Sequence, residues 1–139
     1  MSANVVLTPV RRLYLSGTLS YMTARTSTHA NDDPSVVPYK GDTYNLISSA
    51  TYVLSERTDL QVLYFFSYAH FGQNNFTDGL PLGIDYRQHG VQAAISRRFQ
   101  KYFSARLQYG FNIYDEPSSG HFNDFTAHSV FATLTMHWP

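Results

Sequence analysis

The chain has 139 residues and a mass of 15.8 kDa, a length that suits one domain. Charged residues make up only 14%, below the usual quarter, while aromatics reach 16%. A formal net charge of zero removes any electrostatic case for nucleic acid, and the lack of cysteine excludes a disulfide framework and thiol chemistry.

No run of about 18 apolar residues occurs, so a membrane-spanning helix is excluded. Met1 to Val6 lacks the basic and apolar regions of a signal peptide, so an exported form is expected to be a mature or truncated chain. Asn4 to Pro9 is a short β-branched run, followed by a turn at Pro9–Arg12. Leu13 to Thr26 alternates, with Leu13, Leu15, Leu19 and Tyr21 against Ser16, Thr18 and Ser20. Such a period of two is the signature of a strand with one apolar and one polar face. His29 to Gly41, with Asn31, Asp32, Asp33 and two prolines, reads as a long loop.

Asp42 to Ser55 is the third strand, with Tyr44, Leu46, Ala50, Tyr52 and Leu54 on one face; Ile47 and Val53 join the polar one. Glu56–Thr58 is a tight connection into Leu60 to Gly72, the least clean strand, where Leu63, Phe65 and Phe71 oppose an apolar face. Gln73 to Gly83 is the second long loop. Ile84 to Gln100 sets Val91, Ala93, Ile95 and Phe99 against Gln88, Gln92, Ser96 and Arg98, and Lys101–Tyr102 turns tightly into the next strand. Phe103 to Asp115 is the most regular: Leu107, Tyr109, Phe111 and Ile113 on one side, Arg106, Gln108 and Asn112 on the other. A third long loop, Glu116 to Asn123, leads to Asp124–Trp138, with Val130, Ala132, Leu134, Met136 and Trp138 on one face. No helix is expected.

Seven strands are thus joined by connections that read short, long, short, long, short, long. Transmembrane β-barrels put tight turns at one rim and long loops at the other. Tyr21, Tyr44, Phe99, Phe103, Tyr109 and Trp138 lie where interfacial aromatic girdles belong. The alternation and the closing stretch from Val130 to Trp138 resemble the bacterial outer-membrane β-barrel proteins, whose last strand ends in an aromatic. Pro139 departs from that pattern by following the aromatic. The likeness extends to large porin-like barrels, including those that wrap multihaem cytochromes. It implies an all-β, antiparallel meander over residues 1–139, a single segment forming part of a transmembrane barrel. It further implies location in the bacterial outer membrane, contact with the lipid bilayer, and recognition of the C-terminal strand by the barrel-assembly machinery.

Single-chain bacterial barrels have an even strand number. Seven strands are therefore expected to be the C-terminal part of a larger barrel, completed by upstream strands or by other copies. The implied function is a passive channel or membrane scaffold. Two alternatives stay open: a soluble lipocalin-like barrel binding a small apolar ligand, and a surface adhesin or receptor acting through the long loops.

Arg98, Arg106, Gln92, Gln108 and Asn112 are the candidate lumen-lining residues, and Leu107, Tyr109, Phe111, Ile113, Leu134 and Trp138 the candidate lipid-facing ones. Arg98 and Arg106 would either favour anions in a lumen or pair with carboxylates across strands. Arg25 and Arg87 fall near strand ends on the apolar faces. His29, His70, His89, His121, His128 and His137 show no metal spacing, though four of them (70, 89, 121, 128) fall toward the loop end and suggest a loose surface site. Asp32, Asp33, Asp78, Asp115, Glu116 and Asp124 offer oxygen ligands but follow no calcium-loop pattern and read as turn formers. No catalytic triad is recognisable, and neither enzyme activity, a cofactor nor a metal is expected.

Overall fold

One antiparallel sheet contains all seven strands, each paired with its neighbours in sequence. A computed structural model describes residues 1–26, 39–72, 83–100 and 102–136. The strands are β1 (Ser2–Val10), β2 (Leu13–Thr26), β3 (Tyr39–Ser55), β4 (Thr58–Gly72), β5 (Gly83–Gln100), β6 (Phe103–Asp115) and β7 (Phe125–Met136). The expected all-β meander is therefore present. Most of the long loops expected at His29–Gly41 and Gln73–Gly83 lie outside the described residues, as do His137 and Trp138. Tyr39, Lys40 and Gly41 belong to β3, and Gly83 to β5. The loop between β6 and β7 holds a single 3₁₀ turn at Pro117–Ser119, the one helical element among the described residues.

The sheet is not closed. β1 and β7 form its two edges, and all nine residues of β1 are exposed. β1 starts pinned to β2 by reciprocal bonds between Met1 and Tyr21: the terminal ammonium donates to the Tyr21 carbonyl at 2.7 Å, and the Tyr21 N–H donates to the Met1 carbonyl at 2.8 Å.

The register sorts the side chains. One face carries Leu15, Ala50, Val62, Ala93, Tyr109 and Val130 in a single cross-strand row. The other carries Gln61, Ala94, Gln108 and Phe131 in a row one residue away. The covered residues are all on this second, polar face: Ala69 at 0% exposure, Ala94 at 7% and Thr43 at 9%, with Gly41, Gly90 and Gly110 also buried. The apolar face is the open one, with Val62 at 48%, Leu107 at 53% and Leu134 at 68% exposure. Ile47 and Phe131 are apolar members of the polar face, both exposed.

The uneven strand β4 now has an explanation. Phe65 sits directly across from Gly90, and Phe71 across from Gly41. A Cβ on either glycine would fall inside the facing ring. Each ring therefore lies flat over a bare stretch of backbone, an arrangement that covers glycine in a sheet and holds register. That is why these phenylalanines stand on the polar side.

The tight connections share one design. β1/β2, β3/β4 and β5/β6 each show a register shift beside the turn, between Leu7 and Val10, Val53 and Ser55, and Arg98 and Gln100. Bulges of this kind add twist at a sheet rim. The strands leaving these turns start at Leu13, Thr58 and Phe103. Leu13 is level with Leu60 through Tyr52, so Thr58 lies two residues farther toward the turns. Thr58 is level with Ala105 through Arg97, so Phe103 again lies two residues farther. The turn rim thus steps by one residue per strand. That step corresponds to a strand tilt of about 35°, from a rise of ~3.3 Å against a strand spacing of ~4.8 Å, at the edge of the range that barrels adopt.

Candidate functional site

The polar face gathers most of the side chains the sequence singles out. Arg106, near the turn end of β6, donates through Nη2 to Gln61 Oε1 at 2.8 Å and to Gln108 Oε1 at 3.3 Å. Gln108 Nε2 donates in turn to Gln92 Oε1 at 3.1 Å. These four residues come from β4, β5 and β6, and their alternation with Ala105, Leu107 and Tyr109 places them on one side. Asn112 lies on the same face, level with Gly90 and nearer the loop end. Arg98 lies toward the turn end, where its Nη2 donates to the Glu56 carbonyl at 2.9 Å.

Cross-strand pairing of Arg98 and Arg106 with carboxylates is not found: among the described residues neither forms an ion pair, and both rest on neutral oxygens. Together with Arg57 they border a recess of about 300 Å³ at the turn end, where Asp59 is the acidic lining residue; Arg97 touches its rim but turns its guanidinium to the opposite face, over Phe99. Ser96, Ser104, Thr133 and Thr135 complete a hydroxyl-rich lining. Such a recess is hydrophilic and carries excess positive charge, which draws anions. Nearer the loops the same face bears Ser67, which donates to Asn45 Oδ1 at 2.8 Å, and a ladder of Tyr86, Tyr114 and Phe125 with ring centroids 5.5 and 5.2 Å apart.

Of the residues expected to face lipid, the five that are described share the opposite face. Leu107, Tyr109 and Ile113 are exposed, Phe111 is half-buried, and Leu134 lies open near the β7 edge. Tyr21, Tyr44 and Tyr68 form a row at the loop end, their successive centroids 4.7 and 6.0 Å apart, with the Arg87 guanidinium 5.8 Å above Tyr68. Phe99 and Phe103 meet at the turn end, 5.4 Å apart. Tyr109 does not belong to either group. It stands mid-strand, where its phenol meets His128 Nδ1 at 2.7 Å.

The histidines at positions 70, 89, 121 and 128 are not brought together into one site. His70 Nδ1 lies 2.5 Å from Asp85 Oδ1, its cross-strand partner. His89 bonds Tyr64 through Nδ1 at 2.9 Å. His121 alone joins a cluster. Its Nδ1 faces Asp124 Oδ2 at 2.8 Å and Asp115 Oδ1 at 3.0 Å. The hydrogen bond and charge of Asp124, then the charge of Asp115, hold the His121 pKa above its ordinary value. The Asp124 pKa is held low, first by the Glu116 N–H that reaches its Oδ1 at 2.7 Å and then by His121.

This set keeps a strained loop in shape. Gly120 and His121 both take left-handed φ, at 66° and 69°. For a histidine that conformation costs of order 1–3 kcal/mol. Glu116 also accepts from Tyr114 at 2.9 Å and from Asn123 at 3.2 Å, and the Ser118 hydroxyl accepts the Asp85 N–H at 2.9 Å, docking the loop on β5. Asp115, His121 and Asp124 are the described residues whose ligand atoms lie close enough to hold a metal, within 4.8 Å of one another. The imidazole nitrogen already sits between the two carboxylates. The triad is explained by the loop it closes.

Sequence spacing gave no sign of the Tyr64–His89 and Tyr109–His128 bonds, whose partners stand 25 and 19 residues apart. Asp115, His121 and Asp124 lie close in sequence, and an acidic pair flanking a Gly–His step was the available signal. Neither family models, curated proteins nor solved structures yield a match to this chain.

Proposed function

We propose that this chain is a section of the wall of an outer-membrane β-barrel that serves as a passive channel or membrane scaffold. In this reading the apolar face meets lipid and the polar face lines water. The observation that carries it is the inverted burial of the sheet. A water-soluble sheet covers its apolar face; here Ala69, Ala94 and Thr43 are covered while Val62, Leu107 and Leu134 stand open. Interior polar residues alternating with an exterior apolar band are the arrangement of membrane barrels. A lipocalin-like ligand barrel needs the apolar face enclosed, and so runs against the same observation.

The dimensions agree with a bilayer. On the apolar side of β5, Arg87 and Arg97 bracket His89, Val91, Ala93 and Ile95. At a tilt of about 35° that bracket spans about 27 Å, close to the ~25 Å apolar band of such barrels. Arg98 and Arg106, free of carboxylate partners among the described residues, bias the water-lined side toward anions. Reconstitution in phospholipid vesicles, together with the strands that complete the wall, tests the proposal. Protease-resistant β-structure with ion conductance is the expected result. A monodisperse, detergent-free monomer binding a hydrophobic dye in one internal cavity would overturn it.

A further inference from the structure

The apolar face repeats one three-residue unit. In the first copy Tyr64 and Phe66 on β4 hold His89 on β5: the phenol meets Nδ1 at 2.9 Å, and the Phe66 and His89 centroids are 4.8 Å apart at 41°. In the second, Tyr109 and Phe111 on β6 hold His128 on β7: the phenol meets Nδ1 at 2.7 Å, and the Phe111 and His128 centroids are 4.9 Å apart at 46°. The Tyr–His ring geometry repeats as well, at 6.3 and 6.1 Å with 38° in both. Two hairpins with different sequences thus build the same object.

Register alone puts the copies at different positions. His89 is level with Thr126 through Ile113, so His128 lies two residues closer to the turns. That offset equals the step of the turn rim from Thr58 to Phe103, an equal span of two strands. Tyr64 and Tyr109 accordingly stand at the same distance along their strands from Thr58 and Phe103. In a sheet tilted by about 35° the two-residue offset cancels, and both histidines come to one height above the turns.

That height is a chemical boundary. On β5 the next apolar-face residues toward the loops are Arg87 and Asp85, while toward the turns come Val91, Ala93 and Ile95. On β7 the residues turnward of His128 are Val130, Ala132, Leu134 and Met136. No described residue bonds either Nε2. The tautomer in which the phenol donates to Nδ1 carries the imidazole proton on Nε2. An N–H donor at Nε2, flanked by aromatic carbon, suits the bilayer interface, where acyl-ester carbonyls accept hydrogen bonds. We infer that the two Tyr–His pairs form one level of the barrel's outer surface and donate from His89 and His128 Nε2 to the ester carbonyls of membrane lipid. This rests on the membrane reading above.

The test uses the protein, together with the strands that complete its wall, in phosphatidylcholine vesicles, with Trp138→Phe removing the single tryptophan of this chain and phenylalanine replacing any tryptophan in the added strands. Tryptophan is then placed singly by His89→Trp, His128→Trp, Thr126→Trp or Val91→Trp, and quenched by lipids brominated at graded acyl depths. Positions 89 and 128 should report one shallow depth, 126 should lie about 5 Å shallower, and 91 should be deeper. Position 89 matching 126, with 128 deeper and 91 still deep, would overturn the shared level and leave the membrane reading intact. No quenching at any position would overturn both. A second measurement leaves the histidines in place: nuclear magnetic resonance transfer from both Nε2 atoms to lipid labelled with ¹³C at the ester carbonyl. Transfer from both supports the assignment, and transfer from neither overturns it.

Discussion

Val91 and Gln92 are adjacent in β5 and point to opposite sides of the sheet, so in the proposed barrel one substitution at each separates lipid from water. Val91 is 42% exposed and lies between Arg87 and Arg97, about 11 and 16 Å from them along the barrel axis at the tilt derived above. An arginine there stands near the middle of the band, where the cost is about 2–4 kcal/mol. That is a fall of roughly 30- to 700-fold in the folded population. Gln92→Arg puts the same charge on the polar face and forfeits the bond from Gln108, about 1 kcal/mol. Ile95→Arg, beside Arg97 near the turn-side rim, should cost only about 0–1 kcal/mol. Urea titration of folding in phospholipid vesicles with the completing strands present, followed by Trp138 fluorescence, measures all three. Equal costs for Val91→Arg and Gln92→Arg, or a neutral Val91→Arg, would refute the assignment of faces. In plain water an exposed Val91 would tolerate the change within about 0.5 kcal/mol.

Other expectations follow from particular contacts. Gly90→Ala drives a methyl into the Phe65 ring and should cost about 1–3 kcal/mol in the same titration, with Phe65→Leu restoring much of the loss. Replacing Arg98 and Arg106 together by alanine should move the reversal potential in a salt gradient toward cation preference; an unchanged potential would remove them from the conducting path. The loop from Glu116 to Asp124 should depend on pH. Because folding raises the His121 pKa, its contribution is complete below the ordinary 6.5 and disappears as pH rises through the raised value. Because folding lowers the Asp124 pKa, its contribution is present above 3.8 and disappears as pH falls through the lowered value. Protection of the Gly120 and His121 amides, measured as exchange relative to the intrinsic rate at each pH, should therefore be greatest between 3.8 and 6.5.

Alternation made the strands legible. β2 and β6 begin and end where their period of two does, at Leu13–Thr26 and Phe103–Asp115. β3 begins earlier than expected, because Lys40 and Gly41 look like loop but pair with Gly72 and Phe71. Pairing across the sheet decides such ends, and a single strand does not display it. Phe65 looked misplaced for the same reason: its partner Gly90 stands 25 residues away. The polar face was legible by residue, since Arg106, Gln108 and Gln92 fall on alternating positions. That these three are linked by hydrogen bonds, and that both arginines lack carboxylates among the described residues, required the register. The histidines were least legible, because their partners are set by strand offset and not by spacing along the chain.

The odd number of strands has a topological consequence. β1 and β7 run in the same sense, both from the loop rim to the turn rim. Two like-oriented copies placed edge to edge would bring β7 of one beside β1 of the next in a parallel seam, and adding more copies multiplies such seams. Turning one copy over restores antiparallel pairing but, in the proposed barrel, sends its loops through the opposite side of the membrane. A wall with one orientation and antiparallel pairing throughout is therefore completed by an odd number of strands of other sequence. Parity selects a different kind of neighbour, and repetition of this unit cannot supply it.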